Sequence, residues 1–301
     1  MSIDYTNCAT QATGEFTEMP SNLISADFKT KNSSSPYLWR TIQTQAPYGN
    51  SGSYIVLTNE CQLQFDIPND IGAPVLLFYR LTKFYQNHRR YVKSLDQDQL
   101  QGTFRSNDSI ASSNCDPLTR GPDGRAYYPC GLIANSMFND TFFSPQLLNP
   151  QGSNSNTTYM MTNSSIAWSS DAALYKQAPY TVDQVVPPPD WQLRYPYGYT
   201  DDFPIPDISK WQEFQVWLRT AGLPTFSKLA LRSDDQAMPQ GTYQMSIYDC
   251  MFFQTACTLG HVTNMLLAQT FQSQSMAGRR RSSFPHGRSL VARTISLVLR
   301  I

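Results

Sequence analysis

The chain has 301 residues and no net formal charge, with 41% hydrophobic and only 15% charged residues. A chain of this length can bury a sizeable core in one large domain or two small ones. Because residues 250–301 hold six arginines and no acid, residues 1–249 hold 17 basic and 23 acidic residues, a net charge of −6. A mildly acidic body argues against nucleic-acid binding, which needs a basic face.

Alternating hydrophobic residues predict strands along the chain. Cys61, Leu63, Phe65 and Ile67 alternate with polar residues, as in a half-buried strand. Val75–Leu81 is a nearly continuous apolar run, typical of a strand covered on both faces. Further short strands are predicted at 213–219, 229–231 and 242–248. Short strands and long polar loops favour a mainly β fold, an antiparallel β-sandwich with long loops and a few helical decorations.

The run FYQNHRRYVKS at residues 84–94 predicts the start of a helix that extends to residue 100. Helical spacing places Phe84, His88 and Tyr91 on one side, which we expect to pack into the sandwich. Arg89, Arg90 and Lys93 then lie on the other sides. This basic face is either a solvated surface or a site for an anion or a partner, in which the cations form charged hydrogen bonds.

The six cysteines contain no CxxC pair, which argues against a structural zinc site. Cys115 and Cys130 bracket a turn-rich loop, and a disulfide closing a loop of that size contributes about 3 kcal/mol. The alternative is two free buried thiols. Five N-glycosylation sequons favour an oxidising, glycosylating compartment. They are Asn32, Asn107, Asn139, Asn156 and Asn163.

Motifs for nucleotide, metal or nucleophile chemistry are absent from the sequence. It contains no GxGxxG, Walker loop, HExxH or GxSxG pattern. We therefore predict no catalytic residue, no metal and no cofactor. The sequence also has neither a signal peptide nor a run of 18 apolar residues.

Five segments, in this order, resemble the blocks of one eukaryotic family. They are 74–102 (PVLLFYRLTKFYQNHRRYVKSLDQDQLQG), 130–142 (CGLIANSMFNDTF), 166–171 (IAWSSD), 216–226 (VWLRTAGLPTF) and 241–244 (GTYQ). The family is the ligand-effect-modulator 3 and cell-division-control 50 family, the accessory β-subunits of type IV P-type ATPases, the phospholipid flippases. Lys83 departs from the pattern, since family members usually carry Asn at that position.

The resemblance implies a non-catalytic subunit that binds a flippase ATPase, is needed for its export and supports its transport cycle. It implies a membrane protein of the secretory pathway, in the endoplasmic reticulum, Golgi, endosome or plasma membrane, with residues 1–249 as the lumenal or extracellular ectodomain. We expect the chain to lack both membrane anchors of the family. A Cys8–Cys61 disulfide follows from the family's cysteine pattern, and Arg89, Arg90 and Lys93 become candidates for contact with the ATPase.

Asn139 lies inside a family block, so we expect it to be exposed and glycosylated, with Asn135 and Met137 pointing inward or along the sheet. Residues 186–207 hold six prolines and five aromatics. They form either a strap packed over the sandwich or an aromatic platform for a partner or glycan. The rival functions are a secreted glycan-active enzyme and a glycan-binding module.

Residues 250–301 match no block of the family. One interpretation is a basic, amphipathic, membrane-surface segment that uses Leu290, Ile295, Leu297 and Leu299. The other is arbitrary sequence from a shifted reading frame or an unspliced intron, since the stretch lacks the local consistency of a foldable segment. We favour the second and predict a basic tail that replaces the second membrane helix, makes few contacts with the sandwich and gives Cys250 and Cys257 no structural role.

Overall fold

A computed structural model describes residues 1–29, 35–52, 54–150, 155–249 and, for the backbone alone, 293–299. The strands are β1 (Ser2–Asp4), β2 (Thr17–Glu18), β3 (Ile24–Ser25), β4 (Leu38–Tyr48), β5 (Tyr54–Ile67), β6 (Val75–Leu81), β7 (Ala126–Tyr127), β8 (Thr141–Phe142), β9 (Gln146–Leu147), β10 (Thr157–Thr158), β11 (Val185–Val186), β12 (Phe226–Ser233), β13 (Gly241–Asp249) and β14 (Arg293–Leu299). The α-helices are α1 (Cys8–Gln11), α2 (Arg89–Lys93), α3 (Gln97–Leu100), α4 (Asn107–Ala111), α5 (Leu132–Asn135), α6 (Ser169–Ala172) and α7 (Gln212–Leu218), with 3-10 turns at Ser21–Leu23 and Pro189–Trp191.

Two antiparallel sheets form the body of the molecule. One sheet has the order β10-β9-β13-β5-β4-β2, and β8 also pairs with β13. The second has the order β12-β6-β14-β1-β3, and β7 and β11 form a small parallel pair. The predicted β-sandwich with few helices is confirmed.

The inner faces of the two sheets share one hydrophobic core. The alternation seen in the sequence decides which side chains enter it: Leu63 and Phe65 of β5 and Met245 of β13 are at most 2% exposed. Burying each such side chain contributes about 1.5–3 kcal/mol. Tyr79 of β6 stacks on Phe142 of β8 at 6.1 Å between ring centroids, which joins the two sheets.

Both predicted disulfides are present. Cys8 pairs with Cys61, so the N-terminal segment is attached to the centre of β5, with 6.0 Å between the Cα atoms. Cys115 pairs with Cys130 at 5.6 Å between Cα atoms. Cys250 and Cys257 lie outside the described residues.

Two predicted elements are wrong. The single helix predicted at 84–100 is instead two helices, α2 and α3. The chain breaks between them because the Asp96 side chain accepts a hydrogen bond from the Gln99 amide and so caps the start of α3. The strand predicted at 213–219 is the helix α7, which buries Phe214, Trp217 and Leu218 at helical spacing.

The prediction of a tail with few contacts is wrong for residues 293–299. This segment is β14, which pairs with β6 on one side and with β1 on the other. β6 is buried on one face and less buried on the other, so the predicted burial on both faces is wrong; its two edges are paired, with β12 on one side and β14 on the other. Residues 250–292 and 300–301 lie outside the described part of the chain.

Candidate partner-binding surface

A helical layer, which we define as residues 84–138 and 166–225, contains most of the segments singled out in the sequence. Four of its polar side chains are completely buried, at 0% exposure: Gln86, Ser94, Gln99 and Gln215. A buried polar group is stable only when it is hydrogen-bonded. Each of the four makes a hydrogen bond to the backbone of a distant or neighbouring loop.

Gln99 and Ser94 hold the disulfide loop against α3. The Gln99 side chain donates to the Tyr127 carbonyl at 3.0 Å and accepts from the Cys130 amide at 2.9 Å. The Ser94 hydroxyl accepts from the Leu132 amide at 2.9 Å and lies 3.3 Å from the Cys115 carbonyl oxygen, to which it donates. The loop between the two cysteines is therefore fixed at both ends.

Gln86 joins the segments 84–94 and 216–226, which are far apart in sequence. Its side-chain oxygen accepts from the Ala221 amide at 2.9 Å. Phe84, only 8% exposed, lies beside it with its ring 5.5 Å from that of Trp217. Phe84 and Tyr91 pack inward as predicted, whereas His88 is half-buried and lies at the N-terminal boundary of α2.

The segment 130–142 forms the centre of the layer. Two tryptophan indoles donate to its carbonyl groups: Trp217 to Ile133 at 2.8 Å and Trp191 to Ala134 at 3.0 Å. Asn135 is buried as predicted, and its amide donates to Asp190 at 2.6 Å. Met137 also packs against the hydrophobic core.

Lys228 of β12 lies beneath the C-terminal end of α7. Its ammonium donates to the carbonyl oxygens of Val216 at 2.8 Å and Arg219 at 2.6 Å. Those carbonyls are left without partners where the helix ends, so a cation there is favourable. Burial, together with the neighbouring positive charge of Arg219, nevertheless lowers the pKa of Lys228 to about 7.

Arg89, Arg90 and Lys93 are all exposed on α2. Arg90 forms an ion pair with Asp116 at 2.8 Å, in which both side chains are mostly exposed. Among the described residues it is the one member of the three with such a partner, so the predicted set of charged hydrogen bonds is found for Arg90 alone. Surface pairs of this kind contribute about 0–1 kcal/mol, which leaves the three cations available for contact with another molecule.

Large hydrophobic side chains that are exposed on the helical layer were missed in the sequence. Tyr85 is 47% exposed and Val92 39% exposed on the same segment. Trp168, inside the IAWSSD segment, is 66% exposed, and the Arg219 guanidinium lies 4.3 Å above its ring. The sequence contained a signal for Trp168, because this aromatic residue lies inside one of the five segments that resemble the family.

The described sequons differ in exposure. Asn107, Asn156 and Asn163 are exposed, whereas Asn139 is half-buried, and Asn32 lies outside the described residues. Asn139 and Asn163 line the same cavity of about 150 Å³, together with Trp211. The expectation of an exposed Asn139 is therefore met in part, since its side chain borders a cavity rather than the core.

The proline-rich segment 186–207 is a packed strap rather than an aromatic platform. Trp191, Tyr195, Tyr199 and Phe203 are at most 8% exposed. Their rings contact one another and the core, while Tyr197 alone of the five aromatics remains mostly exposed.

In the part of the chain that the structure describes, no helix is long and apolar enough to cross a membrane, and no cluster of potential metal ligands is found.

The sequence profile of the LEM3 (ligand-effect modulator 3) family, also called the CDC50 family, matches residues 1–258. The phospholipid-transporting ATPase accessory subunit CDC50 of Chaetomium thermophilum is 41% identical over 254 residues, which cover 82% of this chain and 62% of that protein. The accessory subunit CRF1 of Saccharomyces cerevisiae is 39% identical over 242 residues, covering 80% of this chain and 57% of the relative.

Similarity extends to animals. Cell cycle control protein 50B of Homo sapiens is 36% identical over 201 residues, which cover 62% of this chain and 55% of the human protein. The chain thus spans about three fifths of the length of these relatives. With a family profile that matches most of its length, the chain belongs to the LEM3/CDC50 family.

Proposed function

We propose that the chain acts as a non-catalytic accessory subunit of a phospholipid-transporting P-type ATPase. The observation that carries this proposal is the family match over residues 1–258, together with relatives that are named as accessory subunits of such ATPases. In this role the chain binds the catalytic subunit, supports its export and supports the movement of phospholipid. ATP hydrolysis and phosphorylation belong to the catalytic subunit.

The surface of the helical layer suits a protein that acts by binding another protein. The helical layer has both exposed cations and exposed large hydrophobic side chains, among them Arg89, Lys93, Tyr85 and Trp168. Side chains of these types, aromatics and arginines above all, supply much of the binding energy in protein interfaces. We propose that this surface meets the extracytoplasmic loops of the ATPase.

Two features support a lumenal or extracellular location for residues 1–249. The disulfides Cys8–Cys61 and Cys115–Cys130 are typical of oxidising compartments. Three described sequons, Asn107, Asn156 and Asn163, are exposed, so glycans fit at these positions. We propose that the whole protein is a glycosylated membrane protein of the secretory pathway, with Asn139 as a glycosylated site.

The test is a replacement in yeast. A chimera in which residues 1–249 replace the aligned segment of the Saccharomyces cerevisiae accessory subunit LEM3, 39% identical over 253 residues, is expressed in cells that lack that subunit. We expect uptake of a fluorescent phospholipid to be restored. A matched chimera with Gln99→Leu, which removes two buried hydrogen bonds, serves as the control and should restore less. A chimera that reaches the cell surface folded but restores no uptake would contradict the proposal.

A further inference from the structure

The outer face of the seven-stranded sheet carries an ordered array of carboxamide side chains. Across the strands, Gln146 of β9 lies opposite Gln244 of β13, which lies opposite Gln64 of β5. In the following rows, Ser246 faces Gln62 and Tyr248 faces Glu60. Because side chains alternate along a strand, these residues share one face, opposite to the hydrophobic core.

Part of this face is sheltered, and hydrogen bonds hold its side chains in place. Glu60 is 9% exposed and Gln62 is 7% exposed, although they point away from the core. The Gln62 amide donates to Glu60 at 2.7 Å and its oxygen accepts from Arg40 at 2.7 Å, while Gln64 donates to Gln244 at 3.0 Å. Gln64 and Gln244 are half-buried and Gln146 is exposed, so the array has a sheltered part at Glu60 and Gln62 and an accessible end at Gln146.

A half-open cavity of about 190 Å³ lies on this array. Its lining combines polar and aromatic groups: Glu60, Phe143, Ser144, Gln146, Gln244 and Tyr248. The rings of Phe143 and Tyr248 meet at 4.5 Å in an edge-to-face arrangement and form one wall. On the Arg40 side of the array the Phe16 ring lies under that guanidinium at 4.4 Å.

We propose that this groove binds a neutral oligosaccharide. A carboxamide both donates to and accepts from sugar hydroxyls, a carboxylate accepts from them, and an aromatic wall packs against the apolar face of a sugar ring. The groove does not suit an anion, because Arg40 is already engaged by Gln62 and Phe16 and Glu60 contributes a negative charge. An extended peptide would instead add to a free sheet edge, where backbone groups are available.

The oligosaccharide has two possible sources, the chain itself and another glycoprotein. The sequon at Asn156 immediately precedes β10, and Thr158 of that strand pairs with Gln146 in the cavity wall. A glycan on Asn156 would therefore begin close to the groove. The site does not depend on the proposed accessory role, since it lies on the sheet and not on the helical layer.

The test uses the full chain, produced in secretory cells, with its N-glycans either intact or trimmed to the first sugar. Three neutral probes, a released oligomannose glycan, chitotetraose and lactose, are titrated by calorimetry, with 3′-sialyllactose as the charged counterpart of lactose. We expect at least one neutral probe to bind the trimmed protein, and Gln146→Leu to weaken it about tenfold, the equivalent of one lost hydrogen bond. If lactose binds, sialyllactose should bind at least tenfold more weakly.

The matched control is Gln45→Leu, because Gln45 is an exposed glutamine of β4 on the opposite face of the same sheet. It should leave binding unchanged, and both variants should keep the wild-type melting temperature. Binding that appears only after trimming or after Asn156→Gln would support the site and identify the chain's own glycan as its occupant. Failure of all three neutral probes, or equal effects of the two glutamine variants, would overturn the proposal.

Discussion

The sandwich and the helical layer of this protein are held together by different interactions. In the sandwich, backbone ladders such as the nine-residue pairing of β5 with β13 align apolar side chains that are almost fully buried. In the helical layer the α-helices have only four to seven residues, too short to be stable alone. Buried side chains such as Gln86 and Gln99 supply the hydrogen bonds that regular structure would otherwise supply.

This difference explains why the segments 84–94 and 130–142 have such unusual composition. The polar side chains of these segments are not simply solvated, because Gln86, Ser94 and Asn135 form hydrogen bonds to backbone or side-chain groups inside the layer. The residues left on the surface, Arg89 and Lys93 among them, then have a fixed framework beneath them. Sites built on such a framework hold their geometry better than sites on mobile loops.

The disulfides give the largest expected effects, one in each region. In the chain-entropy model, removing the Cys8–Cys61 bridge, with a sequence separation of 53, costs about 4 kcal/mol of unfolding free energy, and removing Cys115–Cys130, with a separation of 15, about 3 kcal/mol. Paired Cys→Ala variants compared by denaturant unfolding measure both values. Equal stability of either double variant and the wild type would contradict the assignment of that bridge.

Gln99→Leu should destabilise the protein by about 3 kcal/mol, because the Tyr127 carbonyl and the Cys130 amide lose their buried partner. The matched change in the sandwich is Gln64→Leu. Gln64 is half-buried and bonds to another side chain, so its loss should cost less than about 1 kcal/mol. Denaturant unfolding of the two variants measures both losses of unfolding free energy. Equal losses would contradict the proposed difference between the helical layer and the sandwich.

Lys228 lies where the sandwich meets the helical layer, and its titration should make the free energy of unfolding depend on pH. Its folded pKa, about 7, lies below the value of about 10.4 for an unfolded lysine, so the unfolded chain binds more protons between these values. Stability should therefore rise from pH 7 to pH 9, by at most about 1.4 kcal/mol per pH unit. The Lys228→Met variant, measured by denaturant unfolding at both pH values, should lack this rise. An identical pH dependence in the variant would show that Lys228 does not titrate in this range.

Lys83 lies where the chain leaves β6 and enters the helical layer, and it adopts a φ of 60°. A non-glycine residue pays for this left-handed conformation, and asparagine tolerates it better than lysine does. Lys83→Asn should therefore stabilise the protein by about 0.5 kcal/mol, as judged by its thermal midpoint, and Lys83→Val should destabilise it. This result would also account for the asparagine that the family resemblance leads one to expect there.

Charge reversal of Arg89 and Lys93 should change stability by less than about 0.5 kcal/mol, because both are exposed and neither has an ion-pair partner among the described residues. The same double variant should weaken association with the ATPase, by loss of complementary charge and by repulsion. Lys29→Glu, an exposed charge reversal outside the helical layer, is the control. Unchanged association of the α2 variant would remove these cations from the proposed interface.

The sandwich could be predicted from the sequence, and the helical layer largely could not. Alternation over Cys61, Leu63, Phe65 and Ile67 identified a strand and its buried face, because a two-residue period has one structural meaning. The run at 213–219 fits either a strand or a helix when read alone, and tertiary contacts of Trp217 decide in favour of the helix. Short elements fixed by distant partners leave no local signal.

The candidate surface was found in part for the same reason. Charge pattern and exposure can be read locally, so Arg89, Arg90 and Lys93 were placed on the surface correctly. The role of Gln86, and the contact of Trp168 with Arg219, depend on loops more than 50 residues away in sequence. The pairing of β14 with β6 joins residues more than 200 positions apart and could not be inferred from either segment alone.

Binding of this protein to a catalytic ATPase subunit is the decisive test of its role as an accessory subunit. The protein is affinity-purified from its own cells in mild detergent, and the bound proteins are identified by mass spectrometry. We predict recovery of a type IV P-type ATPase in a defined ratio, reduced by the charge reversal of Arg89 and Lys93 and retained with Lys29→Glu. Purification of a correctly folded, exported protein without any such ATPase would contradict the assignment as an accessory subunit.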